Sequence, residues 1–325
     1  MPCPILIGSE SVAGQSQFLK DVRAGKYEGF FLKLSGDALA AQTLAVTGFG
    51  RVKLLAAGTE VVTVDYDNQR VINQIWGGEM RVVAVAGGNH QFPVYIPRGW
   101  KDDNVHQVNS QDQVQIQIDY GATFTGVFTG ADVAIQRIYG LWRDTGKMAY
   151  NLRIKQINKV YGSGVFMEDL NTENVLGVYV VASGNDLDRV RVLKDGIECL
   201  NAHIGDTAAV ALADEDWLEI SDNLNKVYAG TDAVATTASS AIAEADIAKP
   251  GQIGEFLSDE IQVEFSTSPA TTYTQELVVY HADFTDSKLQ QTKAEEAAIV
   301  QRKISRKVQF GKTRPVRTLE ELGRG

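Results

Sequence analysis

The stretch Arg51-Val-Lys-Leu-Leu-Ala-Ala-Gly58-Thr-Glu60 returns 138 residues later as Arg189-Val-Arg-Val-Leu-Lys-Asp-Gly196-Ile-Glu198. Both copies read as an apolar strand that runs into a glycine turn. A second echo follows in the same order: Tyr120-Gly-Ala-Thr-Phe124-Thr125 and Tyr280-His-Ala-Asp-Phe284-Thr285, 160 residues apart. Neither match carries weight alone in a chain of 325 residues, but their shared order does. A repeat unit fixes the architecture. The pattern predicts two tandem copies of one all-β domain.

Short β-type runs broken by glycine surround the first copy: Phe30–Leu34, Thr43–Val46, Val52–Leu55, Val61–Tyr66, Met80–Ala86, Val94–Ile96 and Val114–Tyr120. Gln113–Tyr120 alternates polar and apolar residues, the signature of a half-buried strand. The second copy is framed by Val175–Ala182, Val190–Lys194, Trp217–Ile220, Glu260–Ser266 and Gln275–Phe284. Many short strands with turn signals indicate a sandwich or barrel, not a βαβ fold. The expected division is an N-terminal arm (1–27), a first domain (28–128), a connector (129–164), a second domain (165–285) and a tail (286–325). Within the arm, Phe18, Leu19 and Val22 suggest a short amphipathic turn over Ser16–Ala24. The Ala/Thr/Ser-rich stretch Ala229–Gly251 reads as a long exposed loop, or as a short helix around Ala241–Ala248.

Charge is unevenly placed. The chain carries −10 overall, yet residues 288–325 carry +6, which leaves −16 on the rest. An acidic body argues against sequence-specific nucleic-acid binding, because phosphates demand a positive field. The tail begins with a helical period, Lys288–Val308. Ala297, Val300, Ile304 and Val308 form one stripe, with Arg302, Lys303, Arg306 and Lys307 mostly off it. Such a helix suits an anionic membrane surface or an acidic partner, or else packs on its own domain with a solvated face. Met1–Gly8 lacks the basic and apolar regions of a signal peptide, and Cys3 and Cys199 are the only cysteines, which fits assembly in a reducing cytosol.

Catalytic chemistry is hard to assemble. His90, His106, His203 and His281 share no metal-ligand spacing, no G-x-S-x-G elbow occurs, and Gly48-Phe-Gly50 runs into a strand where a phosphate loop needs a helix. No enzyme and no cofactor are expected. The candidate metal ligands are acidic clusters: Asp102 and Asp103, Asp186 and Asp188, Asp214 and Asp216. Calcium takes several loop oxygens of this kind, although none of the clusters has EF-hand spacing and solvated turns account for them better. Trp76, Trp100, Trp142 and Trp217 suit core or interface packing; as stacking platforms, Trp76, Trp100 and Trp217 would instead suit a carbohydrate-binding or carbohydrate-processing β-sandwich.

Val178-Tyr-Val-Val-Ala-Ser-Gly184, then Val190-Arg-Val-Leu-Lys-Asp-Gly196, and finally Ile261–Ser268 and Glu276–Phe284, resemble paired strands of a known family. That family is the double jelly-roll major capsid proteins of tailless, internal-membrane-containing bacterial viruses of the corticovirus kind. The resemblance covers about residues 28–285 and rests on strand pattern; the Ala229–Gly251 stretch and the basic tail depart from it. It implies two tandem eight-stranded jelly rolls followed by the C-terminal basic helix and tail. It also implies a homotrimer whose six rolls make a pseudo-hexagonal tile of an icosahedral shell. The implied partners are neighbouring capsomers, minor and vertex capsid proteins, and an internal viral membrane met by the tail; the implied location is the virion, assembled in the host cytoplasm. Long outer loops would form a tower, for which Ala229–Gly251 is the candidate, while Tyr95, Trp100 and Trp142 would anchor subunit contacts. A minor capsid or spike protein built from the same folds is the alternative within that class.

Overall fold

Both copies of the repeated motif fold as strand–turn–strand hairpins, and the rest of the chain is built around them. A computed structural model describes residues 3–37, 50–75, 83–84, 89–100, 104–122, 124, 133–144, 150–161, 164–170, 174–182, 187–194, 196–203, 217–219, 226–230, 240–246, 261–267 and 273–283. The elements are β1 (Cys3–Ser11), β2 (Gln17–Asp21), β3 (Gly25–Asp37), β4 (Arg51–Ala56), β5 (Thr59–Asp65), α1 (Tyr66–Ile75), β6 (Val83–Ala84), β7 (Asn89–Pro97), β8 (His106–Val108), β9 (Val114–Asp119) and β10 (Val133–Trp142). They continue with β11 (Asn151–Tyr161), β12 (Gly164–Asp169), β13 (Val175–Ala182), β14 (Leu187–Lys194), β15 (Ile197–His203), β16 (Trp217–Glu219), β17 (Lys226–Gly230), β18 (Ser240–Asp246), β19 (Ile261–Thr267) and β20 (Tyr273–Asp283). All described residues fall in one unit, Met1–Asp283.

The β4–β5 and β14–β15 hairpins match residue for residue. Gly58 and Gly196 have φ of 80° and 74°, a left-handed conformation that glycine alone adopts without penalty. The register shifts between Leu54 and Leu55 in one hairpin and between Val192 and Leu193 in the other, the same place in each. The basic residue and the final glutamate of the motif also have a common purpose. Lys53 Nζ lies 3.1 Å from Glu60 and 3.2 Å from Asp119 of β9, while Arg191 lies 2.7 Å from Glu198 and 3.7 Å from Glu264 of β19. Each hairpin is thus tied to its other neighbour by one cation between two carboxylates. A Cβ on either turn glycine would meet nothing within 4 Å, so Gly58→Ala and Gly196→Ala should each cost only the backbone term, about 1–2 kcal/mol. Urea melts of the two variants should shift alike; clearly unequal shifts would deny the equivalence of the turns.

The hairpins sit in two β units with one repeated strand order. The first contains β1-β10-β3-β7 and β2-β9-β4-β5; the second contains β11-β20-β13-β18 and β12-β19-β14-β15. The short β6 and β8 pair with β7 and β3, and β16-β17 extends the second unit beyond β18. Alternation fills the first core: Val114, Ile116 and Ile118 of β9, and Val52 and Leu54 of β4, are buried with exposed or half-buried residues between them. The two units share a sheet, because β5 pairs in parallel with β11 at Ile154↔Val62 and Lys155↔Thr63. This is a jelly-roll-like, largely β-sheet architecture.

Several expectations change. The stretch Ser16–Ala24 carries strand β2, not a helical turn; Phe18 and Val22 lie four apart and both are buried, which mimics a helix stripe. Residues 1–27 therefore supply sheet strands: β1 pairs with β10 and β2 with β9. The connector stretch holds β10 and β11, which pair along nearly their full length with β3 and β20. Ala229–Gly251 contains the end of β17 and all of β18, which lies between β17 and β13 in place of a loop or helix. The Tyr120 and Tyr280 echo joins non-equivalent places, since Tyr120 follows β9 and Tyr280 lies inside β20. The expected strand Thr43–Val46 and the basic helix Lys288–Val308 lie outside the described residues.

Candidate functional site

The richest side-chain chemistry lies where the two β units meet. Val175–Ala182 and Leu277–Tyr280 are unbroken apolar runs, which signals strands buried on both faces. One face of β13 and β20 looks into the second core. The other, bearing Gly177, Tyr179, Glu276, Val278 and Tyr280 in register, meets α1 and Trp100 of the first unit.

Helix α1 forms on a sequence with no glycine or proline inside it, Tyr66-Asp-Asn-Gln-Arg-Val-Ile-Asn-Gln-Ile75. Asp67 lies in its first turn. Gln69 Nε2 donates to Asn73 Oδ1 (2.8 Å) one turn on. Asn68, Gln69, Arg70 and Asn73 are all buried. Buried polar groups require partners, and several come from the other unit. Tyr280 donates to Gln69 Oε1 (2.9 Å), Asn68 donates to Glu276, and Asn73 donates to the Tyr95 carbonyl (2.9 Å). Gln156 of β11 donates to Asp65 Oδ2 (2.5 Å) and accepts from the Asp65 amide (2.7 Å).

Trp100 is the apolar centre of the seam. It is fully buried, 4.8 Å from the Tyr280 ring and 6.2 Å from the Tyr179 ring. A Cβ on Gly177 would come within 2.1 Å of its indole, so glycine permits this approach. The Trp100 amide donates to the Tyr150 hydroxyl (2.9 Å), and Asn104 donates to the carbonyls of Arg98 (2.7 Å) and Tyr150 (2.8 Å). Arg98, also buried, lies 2.9 Å from His106 Nδ1 through Nη2, and that nitrogen lies 3.0 Å from Asn151 Oδ1. Burial, then the Arg98 charge, pushes the His106 imidazole down to about 3. The ring is therefore neutral. Burial likewise draws Arg98 down to about 10.

These groups are occupied with holding two units together. The described residues contain no group of three or more His, Cys, Asp or Glu able to hold a metal. Of the candidate ligands, Asp102, Asp103, Asp186, Asp214 and Asp216 lie outside the described residues, and Asp188 lies on β14 with its side chain undescribed. Arg302, Lys303, Arg306 and Lys307 also lie outside them. Trp100 cannot serve as a sugar platform or a subunit anchor, since it is enclosed. Tyr95 packs against Gly29, and Trp142 lines an open groove of about 510 Å³ with Lys26, Asn109 and Asp144. Most exposed apolar side chains of the described residues lie on strands at sheet edges, Ile5 and Leu6 on β1, Leu19 on β2, Val165 and Met167 on β12 and Ile197 on β15, while Val133 and Val160 lie on the interior strands β10 and β11. The seam itself escaped the sequence reading, because its helix buries amides and guanidinium groups that ordinarily mark a solvated face. The available signal was the unbroken apolar run in β13, which needs a cover on both faces.

No protein-family model and no curated protein sequence matches the chain. Solved structures do. The major capsid protein P2 from bacteriophage PM2 superposes with a TM-score of 0.52 at 10% identity, over 88% of this chain and 98% of that one. PBCV-1 VP54, fitted into a reconstruction of the virophage Sputnik, superposes with a TM-score of 0.53 at 7% identity, over 86% of this chain and 93% of that one. At such identities the likeness is one of fold: the chain has the fold of viral major capsid proteins.

Proposed function

We propose that the chain is the major capsid protein of an icosahedral virus, made of two eight-stranded jelly rolls and assembled as a homotrimeric, pseudo-hexagonal capsomer. The observation that carries this reading is the strand order, which is first-eighth-third-sixth and second-seventh-fourth-fifth in both units once β6, β8, β16 and β17 are set aside. On this reading the boundary between rolls falls between β10 and β11. The first roll extends from 28–128 to 3–142, and the second from 165–285 to 151–283. Two similar rolls per chain let three-fold symmetry produce a six-sided block, which tiles laterally. Exposed apolar side chains on the edge strands β1, β2 and β12 suit contacts with other copies, since unpaired apolar edges on a free chain invite aggregation.

Function in such a protein resides in its interfaces, so no catalytic role is assigned. Neighbouring capsomers and minor or vertex proteins are the proposed partners in the virion. The tail bearing Arg302, Lys303, Arg306 and Lys307 is proposed to meet anionic lipid of an internal membrane. Calcium is proposed only at the acidic clusters Asp102–Asp103, Asp186–Asp188 and Asp214–Asp216. Light scattering after gel filtration, in calcium and then in chelator, tests the assembly. The expected mass is three times 35.4 kDa, and dissociation in chelator would assign the metal. A monomer in both buffers would remove the capsomer.

A further inference from the structure

Five ionisable groups meet where α1 crosses the sheet of the second β unit. Asp65 ends β5, Asp67 opens α1, and Glu276 comes from β20; Arg51 of β4 and Arg70 of α1 are the cations that act on them. The side chain that β11 presents to Asp65 is the neutral Gln156. The phenols nearby, Tyr66 and Tyr280, are buried, and burial keeps Tyr66 protonated far above neutrality.

The carboxyl groups are not equivalent. Asp65 accepts from Arg51 Nε (3.3 Å) and from Gln156, and Glu276 accepts from the Asn68 amide. Burial pushes the Glu276 carboxyl up, and the Asn68 bond and the Arg51 charge pull it back. Asp67 Oδ1 is shielded from solvent and has no hydrogen-bond partner. A carboxylate there would set three negative groups against two guanidinium groups, with its Oδ1 shut off from solvent. A proton on Asp67 balances the count. Burial first, then the charges of Asp65 and Glu276, raise the Asp67 carboxyl to about 8 against the pull of Arg70.

We propose that Asp67 is the proton latch of the joint between the two β units: protonated, it closes α1 and β5 onto β11 and β20, and ionised, it lets that seam open while each unit stays folded. The backbone ladder across the joint is short, because β5 and β11 pair at only Ile154↔Val62 and Lys155↔Thr63, and side chains such as Gln156 and Asn68 add to it. Nothing in this requires a capsid. The direction follows from linkage. In the opened state Asp67 regains an ordinary carboxyl near ~3.9, so the closed state binds the extra proton between that value and about 8. Closure is therefore strongest in acid, weakens as pH rises toward 8, and is level above it. His106 titrates in its opened state near ~6.5 and acts on the acid side, in the opposite sense.

Hydrogen exchange of β5 and β11 amides on the full chain, corrected for the intrinsic rate at each pH, reads the latch. From pH ~6.5 the opening constant should rise about tenfold per pH unit and level near 8. In Asp67→Asn it should be flat over the same range, while the control Glu10→Gln behaves as the wild type. Infrared spectra supply a second readout: a protonated-carboxyl band should titrate near 8 in the wild type and be missing in Asp67→Asn. Equal pH dependence in the wild type and Asp67→Asn would overturn the proposal. Should that variant fail to fold, the absence of a carboxyl band titrating near 8 in the wild type would overturn it alone.

Discussion

Trp100→Ala is expected to destabilise the protein by about 3–5 kcal/mol, among the largest single effects in the chain. The indole is fully buried between Tyr179 and Tyr280 of the second unit and stands on a segment of the first. Its removal leaves a cavity that cannot collapse easily, because the segment is pinned by the Asn104 bonds to Arg98 and Tyr150. The effect should also be qualitative. With its apolar centre gone, the seam should give way first, so that the variant is expected to unfold in urea in two transitions and the wild type in one. A loss under about 1 kcal/mol, the range of an ordinary surface substitution, would mean that Trp100 does not join the units.

Gly50→Ala should be nearly as damaging, at the upper end of the ~1–3 kcal/mol typical of overpacking or above it. A Cβ there would lie 1.5 Å from the carbonyl oxygen of Asp119. That atom is backbone, and β9 is fixed on both sides by β2 and β4, so neither strand can step away. The Gly50 carbonyl also accepts from the Tyr66 amide (3.0 Å), the contact that starts α1. Thermal melts should place this variant well below Gly58→Ala, whose Cβ meets nothing. If the two melt together, the close approach of β4 and β9 is not as described.

The parts of the fold that could be read from sequence are those in which one chemical demand controls one residue. A left-handed turn needs glycine, so Gly58 and Gly196 announced their hairpins. A half-buried strand needs alternation, so Gln113–Tyr120 announced β9. The parts that escaped are those in which packing overrides type. Inward positions of β10 include Gln136, whose amide accepts from the Tyr120 hydroxyl (3.1 Å), and Gly140, which makes room for the Tyr27 ring. That strand therefore lacks an apolar period, and the stretch resembles a connector. Most of β1 is exposed, as an edge strand can be, and it reads as an arm. In β18 the residues are Ser, Ala, Ile, Glu and Asp, a composition that suggests a loop, yet the strand is paired on both sides. The joint between the units was hidden for the opposite reason. Asn68 and Gln69 have solvent-type side chains, and partners on β20, 208 and 211 residues away, give them a buried role.

The duplicated ion triads add a reason for the repeat beyond the turn itself. Exposed pairs contribute little stability, about 0–1 kcal/mol each, so Lys53 and Arg191 are better understood as register markers. Each holds its hairpin against the strand on its far side, β9 in one unit and β19 in the other. A one-residue slip of either strand would turn its apolar side chains outward.

The central claim is that two similar rolls in one chain make a six-sided block from three copies. Class averages of the purified oligomer by negative-stain electron microscopy test it most directly. The account predicts a particle with six lobes around a three-fold axis, two lobes for each 35.4 kDa chain. Single two-lobed particles, or a closed assembly with two-fold or four-fold symmetry, would contradict it.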